Sequence, residues 1–229
     1  MSNTYSMREE IRLQRKKLKG KPLKKQWEYY WNYYKVPAVI ILIAACIFGS
    51  LLHTLLFQKE TVLSVAYINA FPNMDDAAFM EGFNRYININ SQKQDTLLDS
   101  SYYINENSAS PYSTTYQQKL SAMAYSGKLD VVIADEYYFR LYAEKGFFQD
   151  LTSLLSSDEL ARFKEDFLYC DLPEDGRDEA VPVGINISDA PGIIRTSSYP
   201  NSTCYYGIVI NSGYTDNARS FLQWLEADS

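Results

Sequence analysis

Val36 to Phe57, VPAVIILIAACIFGSLLHTLLF, is a run of 22 residues without a single Asp, Glu, Lys or Arg. At about 1.5 Å per residue it makes roughly 33 Å of helix, enough to cross a hydrocarbon core of about 30 Å. Pro37 falls in its first turn, where a missing backbone N–H costs little. Gly49, Ser50 and His53 are the only interruptions. His53 lies near one end, where a packed or snorkelling imidazole is the expected state. A core helix of a soluble domain is rarely apolar on every face at this length. The sequence therefore predicts a transmembrane helix over 36–57, between a tail at 1–35 and an outer domain at 58–229.

Charge divides across this helix. Residues 1–35 carry ten Lys and Arg against three Glu, a net of +7. Residues 58–229 carry twelve against 25 Asp and Glu, a net of −13, so the whole-chain value of −6 averages two unlike segments. Basic residues beside a span hold that end in the cytoplasm. The expectation is a single-pass protein of the cell membrane with its N-terminus in the cytoplasm and its C-terminal domain outside. Arg12, Arg15, Lys16, Lys17, Lys19, Lys21, Lys24 and Lys25 read as a topology signal, with contact to anionic lipid as the functional alternative. Nucleic acid is not an expected partner, because no accompanying fold supports the tail. Trp27, Tyr29, Tyr30, Trp31, Tyr33 and Tyr34 form an aromatic belt of the kind that sits among head groups.

Two processing alternatives fit less well. Leu55-Leu56-Phe57-Gln58 lacks the small residues of a signal-peptide cleavage site. Ile43-Ala44-Ala45-Cys46 has the form of a lipoprotein box ending in the acylated cysteine. However, the 11 residues after Cys46 stay mostly apolar instead of turning polar.

The outer segment is large enough for one domain with a proper core. Val62 to Asn69 reads as a strand ending at Phe71-Pro72. Phe79, Phe83, Tyr86 and Ile87 recur at helical spacing behind Asp75 and Asp76. Thr96 to Ile104 is a weaker strand, followed by a polar loop, Asn105 to Ser110. Pro111 opens a helix with Tyr116, Leu120 and Met123 inside. Leu129 to Ala134 is the clearest buried strand. It stops at Asp135, before a short helix, Tyr137 to Lys145, closed by Gly146. Ser156 and Glu159 have capping-box spacing for a helix running to about Asp166. Asp171 to Glu179 is an acidic loop, Val181 to Ile185 and Tyr205 to Asn211 are strands, and Thr215 caps a last helix with Ala218, Phe221, Leu222 and Leu225 on one face. Alternating strands and helices predict an α/β domain with a mostly parallel sheet covered on both sides.

Catalytic signatures are missing. The single histidine, His53, lies in the predicted span, which leaves the outer domain none for acid–base or metal chemistry. There is no Gly-rich phosphate loop, no G-x-S-x-G elbow and no C-x-x-C pair. The spacing of Asp171, Glu174, Asp175, Asp178 and Glu179 fits no EF-hand loop. Neither an enzyme nor a cofactor is expected. Cys170 and Cys204 are the only outer cysteines; they form a bridge if the fold brings them together, and two free thiols otherwise.

One ordered set of segments resembles a family. Leu129-Asp130-Val131-Val132-Ile133-Ala134-Asp135, then Tyr142-Ala143-Glu144-Lys145-Gly146-Phe147-Phe148-Gln149-Asp150-Leu151, is similar to extracellular solute-binding proteins of bacterial ABC transporters. So are Ala180 to Ile185, Tyr206 to Asn211 and the closing Asn217 to Leu225. The resemblance implies an α/β lobe flanking a ligand cleft. It also exposes a departure, since only 19 residues separate Ile185 from Tyr205 where a second lobe would need on the order of 100. The chain resembles one lobe of such a protein without the other, and small-molecule sites usually enclose most of the ligand.

Two functions follow as expectations. The first is a membrane-tethered accessory or scaffold domain that binds a protein partner, such as a transporter or surface complex. The second is a receptor for a small solute, a sugar or peptide, at the carboxyl ends of the strands. Its lining would come from Asn69, Phe71, Asp135, Glu136, Tyr137 and Asn186, with Tyr102, Tyr103, Tyr205 and Tyr206 available to stack on a sugar. Turn chemistry and sheet packing are the plainer roles for all of these.

Overall fold

The structure, a computed structural model, describes residues 12, 16, 22–72, 75–105, 111–171 and 179–227. Most of the basic tail, the polar loop at 106–110 and the acidic stretch at 172–178 lie outside these residues. So do the side chains of His53 and of the aromatic belt apart from Trp31. Contacts divide the chain into two units, Met1–Gln58 and Lys59–Ser229.

Helix α1 occupies Leu23–Phe57 in the first unit. Its segment Lys35–Leu52 has a mean hydropathy of 2.3 and no buried residue. This is one helix long and apolar enough to cross a membrane. It begins 13 residues before the predicted span, so Pro37 lies in its interior and not in its first turn. The proline forfeits one backbone bond, to the carbonyl of Tyr33.

The second unit runs β1 (Glu60–Ile68), α2 (Asp76–Tyr86), β2 (Gln94–Tyr102), α3 (Pro111–Tyr125), β3 (Val131–Asp135), α4 (Glu136–Ala143), a 3-10 turn (Leu151–Ser153), α5 (Ser157–Arg162), β4 (Phe167–Cys170), β5 (Val181–Asn186), α6 (Pro191–Thr196), β6 (Cys204–Ile208) and α7 (Thr215–Glu226). Local chemistry sets several boundaries. The Asp75 carboxylate accepts from the Ala78 N–H at 3.1 Å to start α2. Ser156 and Glu159 form the complete capping box of α5. Gly146 takes φ +69°, the left-handed turn that stops the chain after α4. Thr215 does not cap α7; it is the first helical residue, after Tyr214, and no side-chain bond caps that end.

Six strands form one sheet in the order β2-β1-β3-β6-β5-β4. β1 pairs in parallel with β2 and β3. The pairs β3–β6, β6–β5 and β5–β4 are antiparallel. The sheet is therefore mixed, which corrects the expectation of a mostly parallel one. Asn186 at the end of β5 faces Tyr205 at the start of β6, so α6 returns the chain at the same edge instead of carrying it across the sheet. Periodicity shows that a helix lies between two strands but not whether it crosses over.

Alternate residues feed two cores. Leu63, Val65, Tyr67, Val131 and Ile133 face α2 and α7 through Phe83, Phe221, Leu222 and Leu225. Ala66, Ile68, Val132 and Ala134 face the other layer through Leu120, Phe139 and Phe148. The result is a sheet with helices on both faces. Phe139 and Phe148 stack at 4.2 Å with their rings 5° from parallel. They lie against Gly207 of β6, where an added Cβ would meet both rings at 2.7 Å.

Cys170 and Cys204 are free thiols, and no bridge joins them. Cys170 pairs with Val181 at the start of β5, whereas Cys204 enters β6 beyond the end of β5. At about 3.3 Å per residue the length of β5 separates them by roughly 17 Å, against the ~7 Å limit for a disulfide. Burial pushes the Cys204 thiol up to about 12.

Candidate functional site

The topology places the carboxyl ends of β1, β2, β3 and β5 along one edge of the sheet, the usual ligand edge of open α/β sheets. Asn69 follows β1 with φ +56°, a conformation asparagine tolerates better than most residues. Its Nδ2 donates to Asp135 Oδ2 at 3.1 Å, and its Oδ1 accepts from the Ile104 N–H at 2.8 Å. Its own N–H donates to the Tyr102 carbonyl at 2.8 Å. One residue thus ties together the ends of β1, β2 and β3.

Asp135 is equally committed. Its Oδ1 caps α4 by accepting from the Tyr138 N–H at 3.1 Å, while Oδ2 holds Asn69. The Tyr199 hydroxyl lies 2.9 Å from the carbonyl oxygens of both Ile68 and Ile133 and donates its proton between them. Burial holds the Tyr199 hydroxyl well above the ordinary tyrosine range, so it stays a neutral donor. Chain distance concealed this residue, because Tyr199 is 131 positions from Ile68 and no local pattern connects them.

Asn69, Phe71 and Asp135 line one open depression of about 500 Å³, joined by Pro72, Tyr103 and Tyr199. Phe71 is 52% exposed and Tyr103 68% exposed. The other expected residues are elsewhere. Asn186 borders a separate depression of about 200 Å³ with Arg162, Asp166 and Glu226. Its Oδ1 accepts from the Ser188 N–H and hydroxyl at 3.0 and 2.7 Å, which is turn chemistry. Glu136 pairs with Arg140 at 2.8 Å one helical turn away. Tyr137 is exposed and meets Tyr138 edge to face at 5.0 Å.

Two of the tyrosines expected to stack on a sugar cannot do so. Tyr102 and Tyr206 are buried, and the Tyr206 hydroxyl donates to the Ala218 carbonyl at 2.7 Å. Tyr205 leans on Phe139 at 5.6 Å. Only Tyr103 reaches the depression. Strand alternation explains the split, since neighbouring residues point to opposite faces. Among the described residues, no group of three or more His, Cys, Asp or Glu is placed to hold a metal ion.

No protein-family model, curated protein or solved structure matches this chain.

Proposed function

We propose that this protein is a single-pass membrane protein whose 58–229 domain lies outside the cytoplasm and acts as a non-catalytic accessory or scaffold, binding a protein partner such as a transporter or surface complex. The observation that carries the reading is the state of the strand-end polar groups. Asn69 and Asp135 are already hydrogen-bonded to each other and to the Ile104 and Tyr138 N–H groups, and Tyr199 to the β1 and β3 carbonyls, so their bonds support the fold. Around them Phe71 and Tyr103 stand exposed. Exposed aromatics on a rigid sheet edge are the side chains that most often anchor protein–protein contacts. The +7 tail before the apolar helix supports a cytoplasmic N-terminus, and the resemblance to one lobe of solute-binding proteins supports a role beside a transporter.

A small-solute receptor is the second reading. It is favoured by the position and size of the depression, since ligand pockets run from about 300 to 1,000 Å³. One pair of measurements separates the two. A photo-crosslinking amino acid replaces Tyr103 in the full chain, with replacement of Lys128 as the control position. In native membranes, irradiation is expected to give one discrete protein adduct from the first and none from the second. In parallel, melting of the full chain is followed against sugars, amino acids and short peptides, and no shift is expected. A solute that raises the melting point, with no adduct at Tyr103, would overturn the scaffold reading.

A further inference from the structure

Five arginines are described between residues 59 and 227, namely Arg85, Arg140, Arg162, Arg195 and Arg219. Three are neutralised in ion pairs: Arg140 with Glu136 at 2.8 Å, Arg162 with Glu226 at 2.8 Å and Arg219 with Glu159 at 2.7 Å. The two left without an ion pair among the described residues, Arg85 and Arg195, line the same depression. It has a volume of about 350 Å³, and its remaining lining is Ala78, Phe79, Gly82 and Trp224, with no carboxylate. Arg85 also borders the larger depression that includes Asp76, Glu81 and Asp95, yet pairs with none of them. This basic site belongs to a segment of net charge −13, which would ordinarily draw free guanidinium groups into pairs.

The floor is aromatic. Phe79 of α2 meets Trp224 of α7 edge to face at 4.8 Å. Gly82 lets the indole approach the α2 backbone, because an added Cβ there would stand 3.0 Å from Trp224 Cζ2. The Arg195 guanidinium lies 5.6 Å over the indole ring. Stacking of this kind fixes the plane of the fork while leaving its N–H edges open to an acceptor.

We propose that the depression between α2, α6 and α7 binds an oxyanion, a carboxylate or a phosphate, carried on an aromatic or other apolar body. The two guanidinium forks hold the oxyanion by charge-assisted hydrogen bonds. The body rests on the half-buried Phe79, beside the Arg195 guanidinium that already lies over the buried Trp224 ring. This site shares no lining residue with the strand-end depression and does not depend on the scaffold reading.

The chain contains three tryptophans, Trp27, Trp31 and Trp224. In the full chain carrying Trp27→Phe and Trp31→Phe, Trp224 is the sole indole emitter and reports on its own site. Its emission is titrated with phenyl phosphate, benzoate and inorganic phosphate at constant ionic strength. Either aryl anion is expected to give a saturable change, with inorganic phosphate binding at least about tenfold more weakly. Arg85→Gln and Arg195→Gln are each expected to weaken binding about tenfold or more, and the lysine variants by less, because charge survives without the fork. Both arginines are exposed, so unchanged melting of the variants verifies that they remain folded. Three results would overturn the proposal: no saturable change up to about 10 mM aryl anion, equal binding of inorganic phosphate, or glutamine variants that bind as the parent does.

Discussion

Replacing Asn69 tests whether the strand-end polar groups hold the fold together. Its side chain makes two hydrogen bonds, to Asp135 Oδ2 at 3.1 Å and from the Ile104 N–H at 2.8 Å, and its backbone is left-handed at φ +56°. Asn69→Gly keeps the backbone comfortable and removes both bonds, so it isolates the side chain. At about 1 kcal/mol net per bond the expected loss is about 2 kcal/mol. Asn69→Ala removes the same bonds and adds the left-handed penalty of a Cβ, about 1 kcal/mol more. For a folding unit of this size each kcal/mol moves the melting point by about 2–4 °C, so the glycine variant should melt about 4–8 °C lower and the alanine variant about 6–12 °C lower. Thermal unfolding of the full chain in mild detergent, followed by near-UV circular dichroism, reads both. A glycine variant as stable as the parent would refute the reasoning, since the amide would then be free to serve a ligand. Equal losses in the two variants would refute only the backbone part.

Two further outcomes are expected. Gly207→Ala forces a methyl group into the Phe139–Phe148 stack, where the nearest ring carbons would stand at 2.7 Å, and should cost about 1–3 kcal/mol in denaturant unfolding; a variant within error of the parent would show that the stack yields freely. Burial alone would raise the Glu159 carboxyl, but the Ser156 N–H and hydroxyl, Gln223 and Arg219 together hold it down at about 2. Its stabilising contribution is therefore complete above the usual glutamate value near 4.5 and is lost as pH falls toward about 2. Glu159→Gln should lower stability at neutral pH and flatten the acid limb, and a variant whose loss persists undiminished at low pH would contradict this.

Local rules in the sequence carried a good part of the fold. Asp75 and the Ser156–Glu159 pair start their helices as the spacing predicts, because capping is settled within four residues. Val131 to Ala134, apolar throughout, became a buried strand of the sheet. The missed elements, β4 and α6, are four and six residues long, too short for a periodic pattern to stand out. At the candidate site, Asn69 and Asp135 were legible as strand-end residues and do meet, whereas Asn186, Glu136 and Tyr137 were chosen by the same rule and do not line the depression with them.

By itself the sequence determined the apolar helix, the opposite charges on its two sides and the α/β alternation, since each depends on residues adjacent in the chain. Only the tertiary structure decided that three of the five strand pairs are antiparallel, that Tyr199 reaches back across 131 positions to bind the β1 carbonyl, and that Cys170 and Cys204 stand a strand's length apart. It alone brought Arg85 and Arg195, 110 residues apart in the chain, to one aromatic floor. Such pairings depend on strand order and crossover direction, which follow from packing two apolar faces of the sheet at once and leave no mark in a local window of sequence.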